Sequence, residues 1–458
     1  MLALVRIPAA RAGLRHTSES PPMTIFAELA AHGRAGRGDL PVFHRVRHAE
    51  FRLDLDLDGN PLGLVPLRTR DRRGHPAPSV KRTSNIQPLL GIDDVQYVLG
   101  WGAGRRADAC HTAYRDMAHR WRDAEGAQDP AAAALAAFLD GDHARTLSPP
   151  PDITAKQQVL ITVAGVPVTQ SPTAAAFWAA EITRIKGAGI TGLCMVCGRP
   201  GPLARSMPDA IPAYLIPGAL HTVPLIQIEE PGRTPICLPC ADDATLGMTR
   251  ALSAPDTSMC AQGQDSRIGW WITGEDTDDP MALLIHPDRD SVDRLLARES
   301  GSVSPGRFHA VTVSAAGPSR LMIRDWIDAD LAVIRANIGT WLQQIRTDQG
   351  SDYHYHSLPS MIAVCGRWLP DKNRHANPGE PHSRPVDAQR HLLRTILHAT
   401  PVPHTLWIHL LGRIRRDGHV SAARIALMQA NQARRPDRTA ETPLPDPAGG
   451  GDLSGYST

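Results

Sequence analysis

Residues 193–205 read LCMVCGRPGPLAR, and residues 235–240 read PICLPC. Two Cys-x-x-Cys pairs, Cys194/Cys197 and Cys237/Cys240, hold four of the seven cysteines in a chain of 458 residues. A two-residue spacer turns the backbone so that both sulfurs of a pair face one ion, and a neighbouring Gly or Pro favours that turn. Four thiolates form a closed tetrahedral set with no open coordination position, so the expected metal is a structural zinc and not a catalytic one. The 39 residues between the pairs exceed the spacing of a zinc finger and suit two knuckles joined by an insertion. The competing reading is four buried thiols.

Around this centre the chain is ordinary globular sequence. Apolar residues make up 42% and charged residues 21%, enough for a large core and several domains. The net charge is +2, so no overall field announces a nucleic-acid partner. Among the 49 basic residues only Lys81, Lys156, Lys186 and Lys372 are lysines. Arginine offers phosphate a bidentate contact that lysine cannot, although an arginine-favouring genome explains the bias equally well. No run approaches the roughly 18 apolar residues that span a bilayer, and the N-terminus has no signal-peptide core. These features lead us to expect a cytoplasmic protein with no membrane partner, in which paired cysteines bind metal.

The expected fold class is α+β: mixed N-terminal and central α/β regions, a zinc-ribbon-like knuckle of four cysteines, and a C-terminal helical bundle. The expected divisions are a disordered leader at 1–22, an N-terminal domain at 23–188, a central domain at 189–326, a helical bundle at 327–433 and a disordered tail at 434–458. Phe51, Leu53, Leu55 and Leu57 alternate with Arg52, Asp54, Asp56 and Asp58, which predicts a strand running into a turn at Asp58-Gly59. The same segment imitates a calcium loop, but Val65 stands where the bidentate Glu would be needed. Residues 157–168 read as strand. A helix follows, capped by Ser171, started by Pro172 and stopped by Gly187. Strands are expected at 268–272, 307–315 and 319–326. A helical stripe then uses Leu331, Ile334, Ile338, Trp341, Leu342 and Ile345, with Arg335 off it. Helices at 387–399, 404–416 and 420–433 complete the bundle.

No phosphate loop, nucleophile elbow or nuclease ligand set is present. Tyr353-His-Tyr-His356 offers side chains for a transition metal but reads rather as a solvated or stacking loop, the acidic run at 275–280 as a solvated turn, and Cys110, Cys260 and Cys365 as ordinary buried residues. Lys81-Arg82-Thr83-Ser84-Asn85 differs from these. Two cations, two hydroxyls and an amide sit together behind a loop carrying Arg70, Arg72 and Arg73. Such a mixture can hold phosphate by charge and touch base edges through Asn and hydroxyl groups. A polar turn leading into a strand at YVLG is the plain alternative.

The order of these motifs resembles a known family. PSVKRTSNIQPLLGIDDVQYVLGW at 78–101, the two cysteine strings, RLMIRDWIDADLAVIRANIGTWL and LLRTILHATPVPHTLWIHLLGRIRRDGHVSAARIALMQA are together similar to the large subunit of the type I-C (Dvulg subtype) CRISPR Cascade effector complex. The likeness runs over about 23–433. It departs at 206–230, which lacks the Lys- and Gly-rich loop expected there. The resemblance implies a non-enzymatic subunit that reads the protospacer-adjacent motif and helps open the duplex. It also implies that the subunit steadies the displaced strand and docks the helicase-nuclease. The implied partners are guide RNA, target double-stranded DNA, the Cascade backbone and small subunits, and the helicase-nuclease. The candidate nucleic-acid residues are Arg70, Arg72, Arg73 and Lys81–Asn85, with Arg413, Arg415 and Arg416 on the displaced strand. Met322 would serve as an internal start for a separate small subunit. A stand-alone zinc-ribbon DNA-binding regulator is the alternative.

Overall fold

The computed structural model describes residues 25–68, 74–82, 86–276, 278–298, 305–349 and 352–435. The chain divides into two compact units, Met1–Ser258 with Val313–Ile323, and Met259–Thr312 with Arg324–Thr458. The cysteine-bearing segment beyond residue 188 therefore belongs with the N-terminal region. Among the described residues no helix is long and apolar enough to cross a membrane.

The first unit runs α1 (Ile25–Arg37), β1 (His44–Arg47), β2 (Phe51–Leu55), β3 (Pro61–Pro66), β4 (His75–Pro78), β5 (Ile92–Asp94), α2 (Val95–Val98), α3 (Arg105–Asp123) and α4 (Pro130–Asp140). It continues through β6 (Gln158–Val163), β7 (Val166–Pro167), α5 (Ala174–Lys186), β8 (Gly187–Leu193), β9 (Pro200–Ala204) and α6 (Leu238–Ser253). Its main sheet has the order β3-β2-β6-β5, with β7 on β6. The alternation in β2 works as expected. Phe51, Leu53 and Leu55 are buried, while Arg52 and Asp54 pair on the other face at 2.8 Å. The look-alike calcium loop caps itself, with Asp56 accepting from the Asp58 and Asn60 N–H groups. β2 also pairs in parallel with β6, so Leu53 meets Ile161. Tyr114, Trp121, Leu135 and Phe138 from α3 and α4 are almost wholly buried.

After α6 the chain runs through β10 (Ser258–Met259), β11 (Arg267–Gly274), α7 (Ala282–Ile285), α8 (Arg289–Arg298), β12 (Gly306–Gly317), β13 (Arg320–Asp330), α9 (Leu331–Gln344), β14 (Thr347–Gln349) and β15 (Asp352–His354), of which Ser258 and the 313–323 part of β12 and β13 belong to the first unit and the rest to the second. It ends with α10 (Leu358–Ala363), β16 (Trp368–Leu369), β17 (Arg374–His375), α11 (Ala388–Leu397), α12 (His404–Asp417) and α13 (Ala422–Ala433). One sheet has the order β10-β11-β12-β13. The apolar stripe of α9 packs with Leu392, Ile396, Leu406, Leu410 and Leu427 into one core. The fold is thus mixed α and β with a helical C-terminal region, as its patterning suggested.

Several local expectations fail for identifiable reasons. YVLG is not a strand: α2 covers Tyr97 and Val98, and Gly100 turns the chain with φ of +70°. Tyr97 is held there by its hydroxyl, which accepts from the Gln87 N–H at 3.3 Å, and by the Arg82 guanidinium over its ring. α5 begins at Ala174 because the Ser171 and Thr173 hydroxyls are spent on Asp129, whose carboxylate also caps α4 through the Ala131 N–H. Arg335 lies off the stripe yet is buried. It is bound to Asp276 and to the Asp278 carbonyl oxygen, so the acidic run is no mere solvated turn. Asp279 of that run accepts from the Trp270 indole at 2.8 Å. Cys260 is only half-buried, whereas Cys110 and Cys365 are buried. Arg434, expected in the tail, is anchored on Gln344 at 2.6 Å. The expected leader at 1–22 and the rest of the tail from 436 lie outside the described residues.

Candidate metal centre and basic cleft

The two knuckles come from different local structures. β8 and β9 form an antiparallel hairpin whose tip carries Cys194 and Cys197, and Gly198 turns it with φ of +65°. Cys237 is the N-cap of α6 and Cys240 sits in its first turn, with Pro239 where a helix needs no N–H donor. The Met195 N–H donates to the Pro235 carbonyl oxygen at 2.7 Å, and the Ala204 N–H to that of Ile236 at 2.9 Å, which bring the knuckles together.

All four sulfurs lie within 4.8 Å of one another, and Cys197 Sγ and Cys237 Sγ are 3.9 Å apart. A tetrahedron with metal–sulfur bonds of ~2.3 Å has edges of about 3.8 Å, so this set fits a metal ion. Cys194 Sγ also accepts from the N–H groups of Val196 at 3.4 Å and Cys237 at 3.3 Å, contacts that stabilise a thiolate. Burial nevertheless holds the Cys194 thiol above its ordinary value. The hydrogen bond from Cys240 is the main influence pulling the Cys237 thiol down to about 5, while Cys240 itself is pushed up. With four protein ligands the site leaves a metal no open position, which fits a structural role.

The helix that begins in this cluster carries Asp242 and Asp243, both buried. Asp242 accepts from the Phe43 N–H at 2.9 Å and pairs with Arg45 at 2.7 Å, and Arg45 also reaches Asp209 at 3.2 Å. Asp243 pairs with Arg34 at 3.1 Å and with Arg37. A buried carboxylate is tolerable only when so paired. The cysteine cluster therefore sets the start of a helix that clamps the N-terminal segment.

Elsewhere in the same unit a cleft of about 600 Å³ is lined by Lys81, Arg184, Lys186 and Arg205, with no acidic side chain in its wall. Glu181 neutralises Arg184 at 2.6 Å. The other three cations have no carboxylate within ion-pair distance among the described residues. Lys186 is only 8% exposed, and its Nζ donates to the Lys81 carbonyl oxygen at 3.4 Å. Burial pushes the Lys186 ammonium down, and Lys81 and Arg205 push it further in the same direction. Burial also lowers Lys81, with Asp209 pulling the other way. Arg205 donates to the Ile185 carbonyl oxygen at 3.0 Å.

The residues picked out from sequence fare differently. Arg70, Arg72, Arg73, Thr83, Ser84 and Asn85 lie outside the described residues. Lys81 reaches the cleft. Arg82 is committed to the fully buried Asp93 and stacks over Tyr97. Burial is the main influence on Asp93 and raises it to about 6 despite the Arg82 guanidinium. Arg413 is buried against Asp417 at 2.7 Å, whereas Arg415 and Arg416 are exposed. Tyr353 and Tyr355 meet edge to face, and Tyr353 donates to Asp293 at 2.8 Å, so this run is a packed aromatic cluster. Lys186 and Arg205 went unnoticed in the sequence. The scarcity of lysine was the available signal, since two of only four lysines converge on one cleft.

A model of the family described as CRISPR-associated protein (Cas_Csd1) matches residues 27–444. The chain belongs to the Cas_Csd1 family. The match takes in the basic cleft, both cysteine knuckles and the C-terminal helices, so this CRISPR-associated family accounts for both units of the chain. No curated protein matches it.

Proposed function

We propose that this CRISPR-associated protein is the large subunit of a type I-C Cascade effector complex, itself non-catalytic and working in the cytoplasm. It reads the protospacer-adjacent motif on duplex DNA, aids opening of the duplex and docks the helicase-nuclease. Its partners are the guide RNA, the target DNA and the backbone and small subunits. The observation that carries this reading is the position of Lys81, at the head of the KRTSN segment, in a cleft with Lys186 and Arg205 and no opposing acid in its wall. Base pairing with a guide reads a long sequence, while the protein need read only a short motif and backbone shape. Cations fix the register on phosphates, and neighbouring amide or hydroxyl groups, here Thr83, Ser84 and Asn85, supply the base contacts.

Arg415 and Arg416 steady the displaced strand, and Arg413 holds their helix through Asp417. The ion of the Cys194/Cys197/Cys237/Cys240 set is zinc, held for structure. Met322 lies in β13, just before the C-terminal helices, and serves as an internal start for a small subunit. A Met322→Leu change that left a small C-terminal product unaltered would count against that last point.

The test is co-expression with guide RNA and backbone subunits, followed by binding to duplexes that differ only in the bases flanking the target. Guide-dependent binding that collapses for certain flanks and weakens in Lys81→Ala and Asn85→Ala is the expected result. Binding indifferent to guide and flank would overturn the reading and favour a stand-alone zinc-ribbon regulator.

A further inference from the structure

The basic cleft does not end at its cations. A second cavity of about 230 Å³ has Gln87, Arg184 and Ile185 in common with it as lining residues, and Asp116, Arg120 and Glu181 also line its wall. Trp178 of α5 lines this smaller cavity and is 1% exposed. Its indole N–H and the Gln87 side-chain oxygen are both buried without a hydrogen-bond partner among the described residues. An orphaned donor and an orphaned acceptor therefore share the wall of one small cavity. Burial of such groups is costly unless something completes them. Lys186 is a related case: its buried ammonium donates to the Lys81 carbonyl oxygen and faces Lys81 and Arg205, with Asp209 acting on it more weakly.

The geometry points to a binding site for one unpaired nucleotide of a nucleic-acid strand, with phosphate at Lys81, Lys186 and Arg205 and the base edge at Gln87 and Trp178. A phosphodiester supplies a closer negative charge than Asp209, since among the described residues no carboxylate lies within ion-pair distance of Lys81, Lys186 or Arg205. Every nucleobase presents a donor and an acceptor together on its pairing edge, so the cavity seats a base without selecting its identity. Those edges are occupied in a duplex, so the site takes a strand that is single or locally opened. In sequence, Lys81 and Gln87 flank the segment assigned above to motif reading. The assignment rests on that nucleic-acid reading and adds to it a pocket, its contacts and a preference for unpaired strands.

The test uses the full chain and fluorescently labelled single-stranded DNA, single-stranded RNA and duplex DNA of mixed sequence, titrated at several salt concentrations. Lys186→Met and Arg205→Gln should each weaken single-strand binding about fivefold and flatten its salt dependence by roughly 0.7 in log–log slope. Trp178→Phe keeps an aromatic ring and loses the N–H donor together with the fused second ring. It should weaken single-strand binding by about threefold and leave duplex binding unchanged. The DNA and RNA arms tell which strand the site prefers. Lys186→Met removes a buried charge that has no carboxylate within ion-pair distance among the described residues, so its melting temperature should hold or rise, which separates lost binding from lost folding. Arg205 is exposed and provides a second variant free of that concern. Unchanged affinity and slope in both charge variants would overturn the site, as would competition by inorganic phosphate as strong as that by a mononucleotide. If the assembled complex still binds guide-matched targets in both variants, the cleft assignment fails alone. Wild-type indifference to guide and flank makes the functional reading fail instead.

Discussion

Gly33 of α1 and Gly247 of α6 lie against each other where the two helices cross. A Cβ on Gly33 would fall 2.9 Å from the Gly247 amide nitrogen, and one on Gly247 would fall 3.0 Å from that of Gly33. Closer still, the Gly247 Cβ would meet the Leu29 carbonyl oxygen at 1.9 Å. Neither partner atom is a movable side-chain tip, so only glycine permits this approach.

Gly247→Ala should therefore destabilise the first unit even though alanine is the better helix former by about 1 kcal/mol. Forcing two helix backbones apart costs more than that, on the order of 3 kcal/mol. Thermal unfolding should register a melting point lower by several degrees. A melting point equal to or above that of the native chain would mean that the crossing is looser than these distances say.

Metal content is the second expectation. Purified protein should release about one zinc per chain when its thiols are titrated with a mercurial, and Cys240→Ser should release almost none. Cys365→Ser, in the other unit, should keep its metal. Stripping with a chelator should lower the melting temperature by roughly 5 °C or more, because metal-binding energy is folding energy. Because the ligands are thiolates, affinity should fall as the solution is acidified.

Arg82 and Lys81 are adjacent but should behave oppositely. Arg82→Ala leaves the Asp93 carboxylate buried without its guanidinium, at a cost on the order of 3 kcal/mol. Lys81→Ala removes a cation with no carboxylate partner and should leave stability unchanged while weakening nucleic-acid binding. Denaturant titration of both variants separates the two roles. Equal stability would remove the case for Arg82 as an internal strut.

Acid sensitivity of the second unit should trace partly to His375. Burial, followed by the nearby Arg424 guanidinium, holds this imidazole down at about 4. An unfolded histidine titrates near 6.5. Between those values the unfolded chain binds the proton and the folded one does not, so stability falls as pH drops from about 6.5 to about 4 and levels off below. His375→Gln should shallow that decline in melting temperature across this window and change nothing above it.

Local pattern in the sequence carried much of this structure. The alternation of Phe51–Leu55, the stripe from Leu331 to Ile345 and the C-terminal helices follow from periodicity, because one buried face dictates the repeat. The cysteine set was legible because two short turns and four sulfurs make a self-contained chemical unit. Long-range pairing was not legible. Arg82 looked like a free cation until Asp93 was placed beside it, and Arg335 until Asp276 was. Lys186 resembled the ordinary cation that ends a helix, and Arg205 a surface residue. Only tertiary folding brings both to Lys81. Tyr97 sits in a run that favours strand, and its bond to the Gln87 amide and the guanidinium of Arg82 override that propensity.

The pairing of Arg34 with Asp243 spans 209 residues. Helix α1 therefore leaves the ribosome long before the helix that holds it exists. At synthesis rates of about 5–20 residues per second, the wait is on the order of 10–40 s. Throughout it, Arg34 and Arg37 lack the buried carboxylate that they pair with in the finished fold. Only when the second cysteine knuckle emerges can the clamp close, so a metal would reach the four-cysteine set late and α1 is locked only once Asp243 has been made.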